Sequence, residues 1–296
     1  MGATTLIIPE PHIKFPASLS SLLEKEKPTM LTAVPLIYMN LLDYGVLADR
    51  NLGSLRQVLY SGEPFPAKHL KKLMTYWPQA TFTNSYGPTE LSYCTYYNLK
   101  EPPTENDSIP IGKVWAETSM LIVDGNDNIV EKTEAGELLV HSSTLMKGYW
   151  NQPELTEKVF FSGADGKYYY RTGDLVKLDI NGDLIFLGRK DRQVKIRGYR
   201  IELDEIEVIL LRHPAVKEVA VFSIQSDDEN LVIESIASIK DGHNLSEDDL
   251  SSHITKFLPR YFLPQKITLV KEIPRNANGK VDYSFLSKDT KQPTQT

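Results

Sequence analysis

Cysteine is almost missing from this chain, with Cys94 the only one in 296 residues. That excludes a disulfide framework and a thiolate metal site. Long apolar runs are missing as well. No stretch approaches the roughly 18 residues a membrane-spanning helix needs, and the opening MGATTLIIPEPHIKF has no basic segment leading into an apolar one. A cytoplasmic protein with no membrane partner is expected. A basic excess is lacking too: 33 Lys and Arg stand against 39 Asp and Glu, a net charge of −6. General nucleic-acid binding is thereby excluded. Neither an internal repeat nor a low-complexity segment occurs before the polar tail, 288–296.

What remains is ordinary globular composition, 41% apolar and 24% charged, in a chain long enough for two domains. Its first part alternates short apolar strands with amphipathic helices. Strands are expected at 3–9 (buried), 29–34, 55–60 and 80–83. Helices are expected at 18–25, with Leu19, Leu22 and Leu23 on one face, and from Pro35, whose fixed φ suits a first helical position. A third carries Leu70, Leu73, Met74 and Trp77, with cationic positions between them. Such alternation indicates a parallel α/β sheet, whose ligands gather beyond the carboxyl ends of the strands. Two glycine turns fall at such ends, Ser61-Gly62-Glu63-Pro64 and the stretch from Asn84 to Glu90.

From about residue 109 the helical period stops. Short β segments at 119–123, 136–141, 168–171, 175–178 and 184–187 are separated by turn signals such as Asp124-Gly125 and Asn181-Gly182. They suggest a small, β-barrel-like layer. The stretch from Gly182 to Glu207 then changes character twice. Its strand breaks at Gly188 and becomes a basic run of Arg189, Lys190, Arg192, Lys195, Arg197 and Arg200 before entering an acidic helix. Val194, Ile196, Ile201 and Leu203 punctuate it with apolar positions, and Gly188 and Gly198 mark bends or close approaches. This reads as a joint between two domains that also touches an anionic ligand. Beyond it a helix at 204–212, strands at 216–224 and 231–239, a helix opened by Ser246 and Asp249, and a strand at 267–270 make a small α+β unit. Leu250, Ile254, Phe257 and Leu258 form the apolar stripe of that second helix.

Three polar stretches carry candidate chemistry. Tyr86, Thr89 and Glu90 offer an exposed ring, a hydroxyl and a carboxylate, suited to a base, a phosphate and Mg²⁺; a plain surface turn is the other reading. Asp174 accepts two ribose hydroxyls or closes a turn. Lys280 neutralises charge on a phosphate or carboxylate, or belongs to an Asn-Gly hairpin. Taken singly, none of these decides.

Taken in order, LRQVLYSGEP, NSYGPTE, GELLVHSSTLMKGYW, YRTGDL, GRKDRQVKIRGYRIELDEIE, LPRYFLP and NGKVDY resemble the core motifs of the adenylate-forming superfamily. That superfamily holds the acyl-CoA synthetases, luciferases and adenylation domains of peptide synthetases. QVKIRGYRIEL and NGKVD are most similar to the amino-acid adenylation branch. GEPFPAKHLKKLM with YGPTE…CTYY is similar to free-standing members that load a separate carrier protein. The resemblance implies an incomplete large adenylation domain at 1–188, of which 1–108 is α/β and 109–188 β-rich. A small mobile α+β AMP-binding C-terminal domain at 189–287 follows. It also implies ATP-dependent activation of an amino acid or small carboxylic acid as an acyl-adenylate, then transfer to a carrier protein's phosphopantetheine thiol.

Position by position, the resemblance gives adenine to Asn84 and Tyr86 on the Gly87 turn, the α-phosphate to Thr89 and Mg²⁺ to Glu90. Ser61, Gly62 and Glu63 form the floor beside nucleotide and acyl group, and Asp174 and Arg189 hold the ribose. Lys280 promotes adenylation, Asp191 is the hinge, and Gly198 lines the pantetheine tunnel. ATP and Mg²⁺ are the implied cofactors, and the carrier protein acts in trans. The superfamily's Ser/Thr/Gly-rich phosphate loop, due upstream of Tyr86, has no counterpart here, so a missing N-terminal fragment is expected as a further partner. Ser61, Asp204 and Tyr283 depart from the usual glycine, glycine and arginine. Alternative readings are a truncated, non-catalytic remnant that binds nucleotide or carrier protein, and an acyl-CoA-synthetase-type ligase. Which acid is activated is not legible in these residues.

Overall fold

Helix-opening prolines and short apolar runs build the first sheet. The computed structural model describes residues 2–104, 107–131, 133–226, 230–276 and 280–288. The chain divides into two units, Met1–Lys190 and Asp191–Thr296. In the first, helices α1 (Glu10–Lys14) and α2 (Pro16–Glu26) lead to strand β1 (Met30–Ala33), helix α3 (Pro35–Tyr44), β2 (Gln57–Ser61), α4 (Ala67–Tyr76) and β3 (Thr81–Tyr86). Pro16 and Pro35 open their helices, where no backbone N–H partner is required. Strands β1, β2 and β3 are parallel, joined by α3 and α4, whereas β4 (Thr95–Leu99) and β5 (Lys113–Val114) add antiparallel. On α4, Leu70 and Leu73 face a core that includes Tyr38, Leu41, Val58, Tyr60, Trp77 and Phe82. Each fully buried Leu there contributes ~1.5–3 kcal/mol.

The expected buried strand at 3–9 does not form. Those residues have no regular structure, and Leu6 and Ile7 are 43% and 85% exposed. An apolar run becomes a strand only with a ladder partner, and among the described strands β1 pairs only with β2. The strand expected at 80–83 instead continues to Tyr86, because Asn84, Ser85 and Tyr86 pair with Tyr97, Tyr96 and Thr95 of β4. The half-polar sequence of β4 concealed it.

The β-rich layer is an open sheet ordered β10-β9-β7-β6, with β8 paired to β9, and not a closed barrel. Its strands are β6 (Ser119–Val123), β7 (Gly136–His141), β8 (Phe160–Ser162), β9 (Tyr168–Leu178) and β10 (Leu184–Arg189). Closure would require β6 and β10 to bond, and they end opposite sides of that order. Helix α5 (Pro153–Val159) buries no residue and so leaves no apolar stripe to read.

The second unit begins with a hairpin, β11 (Gln193–Ile196) and β12 (Tyr199–Glu202). Arg197 and Gly198 form its two-residue turn with φ of 53° and 81°, the type I′ geometry that matches strand twist. Helix α6 (Leu203–Leu211) leads to β13 (Val216–Gln225) and β14 (Leu231–Ile239), which pair antiparallel; β15 (Lys266–Val270) joins β14 in parallel. Helix α7 (Glu247–Thr255) carries the expected capping box of Ser246 and Asp249. It stops short of Phe257, which is 54% exposed instead of completing the stripe. Both faces of β13 are covered. Val219 and Val221 pack with α6 and α7, and Ala220 and Phe222 pack with Leu286 of the last helix, α8 (Tyr283–Leu286). No helix among the described residues is long and apolar enough to cross a membrane.

Candidate active site

Two irregularities of register put a carboxylate opposite a guanidinium. Between β7 and β9, Glu137 pairs with Leu175 and Leu139 with Arg171, so Thr172, Gly173 and Asp174 together face Leu138. Gly173 takes φ 70° within this bulge. The expected break between 171 and 175 is therefore a bulge inside one continuous strand. Thr172 fixes its shape: its hydroxyl donates to the Leu138 carbonyl at 2.7 Å and accepts the Asp174 N–H at 3.0 Å. Glu137, itself buried, accepts the Gly173 N–H and is paired with Arg171 and Lys190. On the other side, β10 slips between Phe186 and Gly188, with Gly188 at φ 134°. The strand continues past this glycine, contrary to the break expected there, and places Arg189 directly across from Asp174.

Asp174 is only 3% exposed. It accepts Arg189 Nη1 at 2.6 Å and a short hydrogen bond from the Tyr86 hydroxyl. Arg189 Nη1 also donates to the Thr172 carbonyl at 3.1 Å. Tyr86 was expected as an exposed ring. It is buried with Leu91, Cys94 and Tyr170, because extension of β3 carries it into that core. Burial, and then the adjacent Asp174 charge, push its hydroxyl well above the ordinary phenol range, so it remains a donor.

A second cluster forms after Gly87. The turn closed by the Leu91 N–H on Pro88 O exposes Thr89 and turns Glu90 inward. Glu90 Oε1 accepts the Tyr149 hydroxyl at 2.6 Å, and the Tyr170 hydroxyl lies 3.5 Å from that of Tyr149. Burial and the bond to Glu90 raise the Tyr149 pKa, leaving its proton in place. Tyr149 had no role in the sequence reading. It lies within GELLVHSSTLMKGYW, but 59 residues from its partner, a separation that no local spacing rule spans.

The carboxyl ends of β2 and β3 lie side by side, with Ser61 paired to Ser85. Ser61 Oγ donates to the Tyr93 hydroxyl at 3.3 Å, Gly62 turns the chain at φ 94°, and Glu63 is half-buried beyond it. The Asn84 amide donates to the Pro110 carbonyl at 2.8 Å. Lys280, Asp191 and Gly198 belong to the second unit. Asp191 Oδ1 accepts the Gln193 N–H at 3.2 Å, Gly198 completes the β11–β12 turn, and Lys280 is exposed. Residues 277–279 of the lysine's loop lie outside the described residues. No group of three or more His, Cys, Asp or Glu able to hold a metal occurs among the described residues.

Comparison with known proteins agrees with the motif order. The family described as AMP-binding enzyme matches residues 1–150, and the AMP-binding enzyme C-terminal domain matches 205–280. The L-proline–[L-prolyl-carrier protein] ligase of Pseudomonas fluorescens is 34% identical over 295 residues, covering 97% of this chain and 56% of that protein. Surfactin synthase subunit 1 of Bacillus subtilis is 34% identical over 289 residues, 96% of this chain and 8% of that protein. The crystal structure of IdnL1 superposes with a TM-score of 0.83 at 29% identity, covering 90% of this chain and 55% of that one. The chain thus spans about half the length of the proline ligase, and a small part of the surfactin synthase subunit.

Proposed function

The chain belongs to the AMP-binding enzyme family, and from that premise we propose that it serves ATP-dependent activation of an amino acid or small carboxylic acid. The activated acyl group then passes to the phosphopantetheine thiol of a separate carrier protein. In the first half-reaction the acid's carboxylate attacks the α-phosphorus of ATP and pyrophosphate leaves. In the second, the thiol sulfur attacks the acyl carbonyl and AMP leaves. The observation that carries this reading is the buried Asp174–Arg189 pair, set by two bulges. Each Asp174 oxygen keeps acceptor capacity beyond Arg189 and Tyr86, as two donating ribose hydroxyls require. Asn84 and Tyr86 then border adenine, Thr89 the α-phosphate, and Gly62 and Glu63 the floor.

Glu90 suits Mg²⁺, which takes one or two carboxylates and completes its shell with phosphate oxygens and water. The single inward carboxylate of Glu90 fits that habit. When bound, Mg²⁺ supplies charge neutralisation at the phosphates; Tyr149 holds the Glu90 side chain in position. Lys280 neutralises the charge that develops during adenylation. Asp191 serves as the hinge and Gly198 leaves room for the pantetheine arm. The carrier protein named for the Pseudomonas ligase supports a thiol acceptor.

ATP–pyrophosphate exchange with a panel of amino acids, run beside direct ATP binding, tests the proposal. Exchange with one acid or a few is expected. Lys280→Ala should slow it ~100-fold and slow thioester formation from supplied adenylate far less. Asp174→Ala should weaken ATP binding by about tenfold or more. ATP binding without exchange for any acid would assign the chain to a non-catalytic, nucleotide-binding role. Absence of ATP binding would overturn both.

A further inference from the structure

Lys280 is held by described residues on both sides of it. On the upstream side, Arg275 forms an isolated antiparallel bridge with Val281, and its Nη2 donates to Glu218 Oε1 of β13 at 2.8 Å. At the lysine itself, the Asn276 N–H donates to the Lys280 carbonyl at 2.8 Å, and the Lys280 N–H donates to Asn276 Oδ1 at 3.1 Å. On the downstream side, the Asp282 N–H donates to the Pro274 carbonyl at 3.0 Å, and Asp282 Oδ1 caps α8 by accepting the Phe285 N–H at 2.9 Å. Tyr283, the first residue of α8, is three positions from the lysine.

Tyr283 is where the sequence departs from the usual arginine, and its surroundings explain how the chain accommodates a tyrosine. The hydroxyl donates to Glu207 Oε1 at 2.9 Å. The ring lies beneath the Arg192 guanidinium, 3.8 Å from its centroid. Arg192 in turn donates from Nη1 and Nη2 to Glu207 at 3.0 and 2.8 Å, and from Nη2 to the Val221 carbonyl. Glu207 Oε1 also accepts the Val221 N–H at 2.7 Å. A guanidinium held bidentate by a carboxylate and stacked on a ring is fixed in both orientation and height. Burial and the bond to Glu207 push the Tyr283 hydroxyl up to about 12, so it stays a donor at neutral pH. Four parts of the second unit thus converge: the residue just after Asp191, helix α6, strand β13 and the start of α8.

From this geometry we propose that Arg192, Glu207 and Tyr283 form a clamp that holds the Asp191 segment, the start of α8 and Lys280, three residues before it, in one fixed relation. Tyr283 is a positioning residue for Lys280. The idea rests on the role in adenylation given to Lys280 above. It adds that the placement of Lys280 is set by a residue beyond it in the chain, through a contact that also fixes the hinge segment.

The test uses the full chain with Tyr283→Phe, which keeps the ring and removes the hydroxyl, and Tyr283→Ala, which removes both. Tyr283→Ala should lower the rate constant of pyrophosphate exchange about tenfold while thioester formation from supplied adenylate changes less than about twofold, with Tyr283→Phe in between. In a Lys280→Ala background, Tyr283→Ala should add nothing, because the two act as a unit. Backbone hydrogen exchange at Lys280 and Asp282 should accelerate about tenfold or more in Tyr283→Ala while β13 and β14 keep their protection. Equal losses in both half-reactions, additivity with Lys280→Ala, or unchanged protection of Lys280 and Asp282 would each overturn the clamp. Should the unsubstituted chain show no pyrophosphate exchange, the catalytic proposal fails by itself and hydrogen exchange alone judges the clamp. Should Tyr283→Ala not fold, Tyr283→Phe and Arg192→Lys carry the same comparisons, the lysine losing the bidentate contact.

Discussion

At Gly87 a β-carbon would lie 1.7 Å from the Ser92 carbonyl oxygen. No side chain fits there, because the atom in the way is backbone, and the Thr89–Glu90 turn would have to move. Gly62 is different. Its φ is 94°, yet a β-carbon would meet nothing nearer than Val34 Cγ1 at 3.7 Å. Gly87→Ala should therefore lower the free energy of unfolding by ~3 kcal/mol, the upper end of overpacking costs. Gly62→Ala should cost only ~1–2 kcal/mol, the penalty of a left-handed backbone. Urea titration of both variants checks the order, and a reversed order would show that the Gly87 turn relaxes. A second residue-scale feature is the pair of glycines, Gly173 and Gly188, that permit the bulges on either side of the Asp174–Arg189 contact. The geometry of the pair depends on both.

Besides its apolar packing, helix α3 reaches its sheet through a buried hydroxyl. Tyr38, fully buried, donates toward the carbonyls of Leu31 and Leu59, both at 2.9 Å, and so reaches β1 and β2 together. Tyr38→Phe preserves the packing against Phe65 and Trp77 but removes that link, and should cost ~1–2 kcal/mol. A denaturant midpoint lowered at unchanged slope is the expected reading; no change would mean the strand carbonyls are satisfied without it. Among the elements, α4 was the most legible, since Leu70 and Leu73 recur at helical spacing and face the core. Strand β13 was legible too, expected at 216–224 and observed at Val216–Gln225. Its apolar stretch from Val219 to Phe222 shows no alternation, because both of its faces are covered.

Each unit of the molecule has a core of its own. In the second, Ile206, Leu210, Val219, Leu250 and Ile254 close one face of the sheet, and Phe222, Ile273 and Leu286 the other. A segment of residues 191–288, expressed alone, should accordingly unfold in one cooperative transition in urea, as a domain of its size does. A gradual loss of signal with dye-accessible apolar surface would show that this core depends on the rest of the chain.

Local periodicity and turn chemistry sufficed for the class of fold. Helix-opening prolines, the Ser246 capping box and most strands of the three larger sheets were legible, and the motif order pointed to the adenylate-forming superfamily to which the family match now assigns the chain. These features reside in a few neighbouring residues, and their physical causes act over one or two turns of chain. The failures share another cause. The run at 3–9 had strand composition but no partner, the segment from Asn84 to Tyr86 had turn composition but gained one in β4, and the supposed breaks at 172–174 and Gly188 were bulges. Pairing is a property of two segments, so a single segment cannot announce it. The same holds for the site. Residue types marked Tyr86, Glu90 and Asp174 as candidates and the motif resemblance added Arg189, but only tertiary structure decided that Tyr86 is buried against Asp174, that Tyr149 holds Glu90, and that Tyr283 reaches Arg192 and Glu207. Hydrogen bonds between residues 59 to 88 positions apart depend on how strands register, and register is settled by the packed whole.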